Sequence, residues 1–148
     1  MSLHGRFFPK NPHKYLGNSD NIIFRSAWER TFMEYCDTRS DVTQWASEEL
    51  AIPYYFVGDS RWHQYFPDFI LNVTDKNGNK QTWMVEIKPA KHTRPPKQVS
   101  AKHKKKYLRE AVEYAKNQAK WNAAEAFCKN KGWKFVVLTE KDLYPSKT

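Results

Sequence analysis

An α/β fold, with a mixed central sheet flanked by helices, follows from three stretches of this 148-residue chain. Tyr65–Leu71 and Trp83–Lys88 are rich in β-branched and aromatic residues, and Asp75-Lys76-Asn77-Gly78-Asn79 between them has the Asn-Gly chemistry of a hairpin turn. From about Lys105 to Lys131, Leu108, Ala111, Val112, Ala115, Ala119, Ala123 and Phe127 recur at helical spacing. Lys134–Thr139 then forms a short apolar run suited to a buried strand, and a strand that follows a long helix can return to the sheet in parallel. The predicted order is helix, three strands, helix, strand.

Taken in order, residues 1–20 contain prolines and no periodicity and read as an extended arm. Its Phe7, Phe8 and Tyr15 suit packing on the domain, and its basic residues could touch a phosphate backbone. Ser26-Ala27-Trp28-Glu29 fits a capping box, and Trp28, Phe32 and Tyr35 or Cys36 then share a helical face. Asp37–Asp41 ends that helix. Val42–Tyr55 reads as one strand with Trp45 inward and Pro53 at an edge or strand end. Glu48 and Glu49 are expected to face solvent, with Glu48 also within reach of the acids described below. Gly58-Asp59-Ser60 turns the chain into the strand around Asp68, and Pro89 stops the strand that ends at Lys88. Residues 89–104, with Pro89, Pro95 and Pro96, read as a mobile basic loop that orders on a polyanion. Gly132 stops the long helix, and Glu140–Leu143 makes one last turn before a loose tail. There are no repeats and no second domain, so residues 1–148 are expected to form one domain.

The formal net charge is +9, and its placement says more than its size. Residues 88–109 hold nine basic residues and no acids, while the rest of the chain balances at 16 of each. They are Lys88, Lys91, Arg94, Lys97, Lys102, Lys104, Lys105, Lys106 and Arg109. A stripe of this kind suits nucleic acid, and it also occurs as a solvated loop without a partner. No apolar run approaches the roughly 20 residues of a membrane helix, and Met1–His4 does not open a signal peptide. Cys36 and Cys128 have no metal-type spacing and read as buried thiols, which suits a cytosolic setting.

Glu86 and Lys88 are two apart on a strand and therefore share a face, and the hairpin brings Asp68 into their neighbourhood. Two carboxylates and an ammonium there could hold a divalent cation and polarise a phosphate. Hard oxygen ligands suit Mg²⁺, with Mn²⁺ as a substitute, and Mg²⁺ needs only one or two carboxylates besides water and substrate oxygens. Asp68, Glu86 and the Ile87 carbonyl make such a set, with Lys88 placed to orient the attacking water or offset developing charge. Glu29 has two jobs open, as helix cap and as a further acid of the site. His63, His92 and His103 have no partners at ligand spacing, and no glycine-rich phosphate loop accompanies them. An ion pair on a sheet surface is the plain alternative for Glu86 and Lys88.

Pro67-Asp68, then Glu86-Ile87-Lys88 eighteen positions on, with a helical Glu29 upstream, resembles the PD-(D/E)xK nuclease superfamily. Phe8–Tyr15, Arg25–Glu29, Trp45–Glu49, Tyr65–Phe69 and Glu86–Pro89 together resemble the head-completion nuclease family of tailed phages, over about residues 5–140. The resemblance implies a restriction-endonuclease-like αβββαβ core. It implies Asp68 and Glu86 as metal ligands, Lys88 as the catalytic lysine and Glu29 as an added acid. Gln118 and Lys120 are the candidates for a polar position that such nucleases carry on the following helix. The implied activity is a metal-dependent DNA endonuclease that hydrolyses phosphodiester bonds during head completion, after packaging. Double-stranded DNA is the implied partner, with portal or neck proteins of the phage, in the host cytoplasm or the virion. Two other readings stay open: a non-catalytic DNA-binding assembly protein, and an endonuclease of the transposase (Tn7-type) or junction-resolving kind.

Overall fold

A computed structural model describes residues 4–97 and 100–144. It contains strands β1 (Gly5–Phe7) and β2 (Ile22–Phe24), helix α1 (Ala27–Thr38), and strands β3 (Val42–Ser47), β4 (Ile52–Phe56), β5 (Arg61–Tyr65), β6 (Phe69–Thr74) and β7 (Lys80–Ile87). Helix α2 (Lys104–Lys131), strand β8 (Lys134–Leu138) and the single turn α3 (Glu140–Leu143) follow. The central sheet runs β3-β6-β7-β8. Its first two pairings are antiparallel and the last, β7 with β8, is parallel, so the sheet is mixed as its sequence predicts.

Alternation along the strands sorts side chains between two cores, because neighbouring residues of a strand face opposite ways. Phe69, Leu71, Val85, Ile87, Val136 and Leu138 face α1, where Phe32, Met33 and Cys36 meet them. Ile70, Met84, Phe135 and Val137 face α2, whose Trp121, Ala124 and Cys128 cover them together with Ile52, Tyr54 and Tyr65. Glu86 follows the phase of Met84 and so stands on the α2 side, at the end of β7. Ser26 caps α1 by accepting the Glu29 amide at 3.1 Å, and Gly132, at φ 73°, ends α2 in the left-handed conformation that glycine adopts freely.

The structure departs from expectation at five places. Residues 1–20 are more than an extended arm: β1 pairs antiparallel with β2, and Pro12–Lys14 forms a 3-10 turn. Phe7 and Tyr15 pack edge-on against the fully buried Trp45, with centroids 5.9 and 4.8 Å away, whereas Phe8 stays exposed. Lys14 is buried, with its ammonium donating to the carbonyls of Asp37 and Arg39, each at 2.9 Å, so it is spent on packing and not on phosphate. Second, Val42–Tyr55 is two strands. At Glu48 the chain takes φ 54°, its amide donates to the Asp68 carbonyl at 3.1 Å, and β4 leaves the sheet to pair with β5 as a separate hairpin.

Third, the first turns of α2 are open to solvent: Leu108 and Val112 are exposed, and the buried stripe is Asn117, Trp121, Ala124 and Cys128. The alanine-rich pattern holds in its second half, where Ala119, Ala123 and Phe127 are half-buried against this core, with Ala124 and Cys128 one step on at its centre. Fourth, β8 is half-buried and not buried, since it lies at the edge of the sheet. Fifth, the segment read as a mobile loop has 3-10 turns at Ala90–Thr93 and Ala101–His103, and the Ala90 amide donates to Glu140 at 2.9 Å. Gln98 and Val99 of that segment lie outside the described residues, as do 1–3 of the arm and the tail 145–148.

Candidate active site

Asp68 sits in the short break between β5 and β6, and Glu86 and Lys88 at the end of β7. The β6–β7 register puts Phe69 opposite Val85, which carries Asp68 to the level of Glu86. The Ile87 amide donates to Asp68 Oδ2 at 2.8 Å. Lys88 Nζ lies 3.6 Å from Glu86 Oε1, and its backbone amide donates to the Leu138 carbonyl at 2.9 Å, so β8 fixes the lysine's stem. The other oxygen of Glu86 accepts the Tyr65 hydroxyl at 2.6 Å in a buried contact. With one oxygen on Tyr65 and the other toward Lys88, the carboxylate of Glu86 is held in one orientation.

Three carboxylates converge beside this pair. Ligand oxygens of Glu29, Glu48 and Asp68 all lie within 4.8 Å of one another. Glu29 joins this cluster, and the expected capping box is half made: Ser26 accepts the Glu29 amide and donates its hydroxyl to Glu29 Oε2 at 3.3 Å, but the Glu29 carboxylate does not take the Ser26 amide in return. Glu48, for which solvent and the acid cluster were both open, joins the cluster, with Arg25 bound to it at 3.1 Å.

Crowding and burial shape the charges. Burial, and then the charge of Glu86, hold the Asp68 carboxyl well above the usual carboxylate range. Burial also raises Glu86, against the pull of the Tyr65 hydrogen bond and of Lys88, and it raises Glu29. Burial lowers Lys120, helped by the neighbouring charge of Lys88. Carboxylates pressed together at this cost form a hard-oxygen set that suits Mg²⁺ or Mn²⁺, since a cation would relieve both desolvation and repulsion.

Helix α2 closes the site. Lys120 stands 5.9 Å over the Tyr65 ring and feels the charges of Glu86 and Lys88. Of the two helix candidates, Lys120 therefore borders the site. Gln118 is half-buried and has no recorded contact with it, whereas the preceding residue, Asn117, is buried and lines a cleft that opens at Lys88. This cleft, of about 690 Å³, lies between the segment after β7 and the first half of α2. It brings together Lys91, Arg94, Lys97 and Arg109 of the basic stripe. Lys102, Lys104, Lys105 and Lys106 are exposed and do not line it, and Lys106 faces Glu110 at 3.9 Å.

Three residues of the site escaped the sequence argument. Tyr65 looked like an ordinary strand aromatic, although its place three before Asp68 brings it back to the site. Arg25 lies in the Arg25–Glu29 block that carries the family resemblance, but nothing there marks it as the partner of Glu48. Asn117 differs from Gln118 by one step of helical phase, which only the packing of α2 decides.

A mixed sheet with an aspartate ahead of one strand and Glu-x-Lys at the end of its antiparallel neighbour defines a nuclease of the PD-(D/E)xK class. In agreement, residues 39–140 match the profile of the TnsA-like endonuclease N-terminal domain. The chain belongs to the head-completion nuclease family of tailed phages, within the PD-(D/E)xK superfamily. It is 34% identical over 146 residues to the head completion nuclease of Enterobacteria phage T4, an alignment covering 97% of this chain and 95% of that one.

Proposed function

We propose that the protein is a Mg²⁺-dependent DNA endonuclease that hydrolyses phosphodiester bonds in phage head completion, after DNA has been packaged. The observation that carries this reading is the convergence of Asp68, Glu29 and Glu48 beside the Glu86–Lys88 pair, at the mouth of a basic cleft. In this reading Asp68 and Glu86 hold the cation, with the Ile87 carbonyl as a further ligand and Glu29 as an accessory acid. A divalent cation held there would ease deprotonation of water and neutralise charge on the phosphate. Lys88 orients the attacking water and stabilises charge on the phosphate in the transition state. Lys91, Arg94, Lys97 and Arg109 hold the backbone, with Lys102, Lys104, Lys105 and Lys106 adding longer-range attraction and little reading of sequence. Among the described residues no helix is long and apolar enough to cross a membrane. The setting fits the host cytoplasm or the virion, with portal or neck proteins as neighbours.

The test is nicking of supercoiled DNA by wild type and Lys88→Ala, with Mg²⁺, with Mn²⁺ and with chelator. Cutting that needs the cation and falls at least a hundredfold in Lys88→Ala is expected, because Lys88 acts on charge formed in the transition state. Cutting that survives chelation would sink the metal assignment. A protein that binds DNA but never cuts would favour the non-catalytic assembly role.

A gentler effect is expected for Tyr65→Phe, which keeps the ring under Lys120 and frees one oxygen of Glu86. Single-turnover cutting should slow by roughly tenfold with DNA affinity unchanged, the size expected when one hydrogen bond to a charged group is lost. An unchanged rate would mean that Glu86 needs no such anchor.

A further inference from the structure

We infer that the cleft beyond Lys88 holds one unpaired DNA strand, so that the enzyme prefers DNA whose strands are splayed next to the cut. This rests on the nuclease reading above and adds to it the form of substrate.

The cleft's size is the first ground. At about 690 Å³ it falls within the range of small-molecule sites, a size that suits a nucleotide or two of one strand. The second ground is its asymmetry. The wall after β7 supplies Lys91, Arg94 and Lys97, whereas the α2 wall supplies Glu110, Glu113, Tyr114 and Asn117. Arg109 is the one cation on the helix side. A duplex backbone laid along α2 would meet two carboxylates. A single strand resolves the conflict: its phosphates follow the cationic wall and its bases turn toward the helix. There Tyr114 offers a ring on which any base can stack, and the Asn117 amide offers both a donor and an acceptor to a base edge. The third ground is continuity. Lys88 lines the cleft and also pairs with Glu86, so a strand seated in it leads directly to the site of cutting.

The experiment compares two labelled DNAs of the same sequence, one fully paired and one splayed for a few nucleotides on one side of a central site. Wild type should cut the splayed DNA at least tenfold faster. Tyr114→Ala should shrink that preference by about five- to tenfold, the effect of losing one base stack, and Tyr114→Phe, which keeps the ring, should retain it. In chelator, fluorescence anisotropy should show a short oligo(dT) binding wild type more tightly than a paired duplex of equal length, with the difference lost in Tyr114→Ala. Equal cutting of both DNAs, with no selective effect of Tyr114→Ala, would overturn the strand assignment and leave the nuclease reading standing. If neither DNA were cut, the nuclease reading would fail, and the oligo(dT) comparison would still decide whether the cleft takes a single strand.

Discussion

Asp68→Asn is expected to abolish metal-dependent cutting, by at least a thousandfold, while making the metal-free protein more stable. Both outcomes have one cause. The Asp68 carboxylate converges with Glu29 and Glu48, and burial, then the charges of Glu86 and Glu29, raise its pKa. An asparagine oxygen can still accept the Ile87 amide but carries no charge to desolvate. Relief of about 1 kcal/mol would raise Tm by roughly 2–4 °C for a chain of this size. The pH dependence has a definite sign. An acid whose folded pKa lies above its unfolded value holds its proton longer in the folded state, so stability falls as pH rises through the interval between the two. Wild type in chelator should therefore gain stability as pH drops from neutral toward the ordinary carboxylate range, and Asp68→Asn should show a flatter profile. Added Mn²⁺ should raise the melting temperature of wild type and barely move the variant. Melting curves across pH, with and without the ion, check all of this. A variant less stable than wild type in chelator would show that Asp68 serves the fold more than the site.

The largest expected loss of stability lies away from the chemistry, at Asp37. Its buried carboxylate accepts the backbone amides of Lys10 at 2.8 Å and Asn11 at 3.0 Å, and its carbonyl accepts the buried Lys14 ammonium. Asp37→Ala strands two amides and removes the nearby negative charge that offsets Lys14, a loss of about 3 kcal/mol. That corresponds to a fall in Tm of roughly 6–12 °C. Hydrogen exchange should show residues 5–16 opening first. A fall of a degree or two, with protection of the N-terminal residues unchanged, would mean that the aromatic packing on Trp45 holds the segment by itself.

How much of this was legible from residues alone depended on whether the signal was local. The Asn77-Gly78 turn, the Ser26 cap, the Gly132 stop and the two-residue spacing of Glu86 and Lys88 are local, and the structure has each where the sequence put it. Glu48 and Tyr65 are different. Nothing beside Glu48 announces a left-handed turn at a non-glycine residue, so the strand seemed to run on to Tyr55; the Gly58-Asp59-Ser60 turn was legible, but not that it closes a separate hairpin presenting Tyr65. The N-terminal strand was invisible for a similar reason: Gly5–Phe7 has no pattern of its own, and only its distant partner Ile22–Phe24 makes it one. Asn117 lost to Gln118 because helical phase is set by what α2 packs against.

The backbone bond from Lys88 to Leu138 spans about fifty residues, and it bears on when the enzyme becomes active during its own synthesis. Asp68, Glu86 and Lys88 all leave the ribosome ahead of α2 and β8. At roughly 5–20 residues per second the parts that fix the lysine and wall the cleft arrive several seconds later. Nascent chains arrested just after Gly132 should therefore leave a labelled duplex intact that released full-length protein cuts. A nuclease finished only by its last strand spares the nucleic acid around the ribosome that is making it.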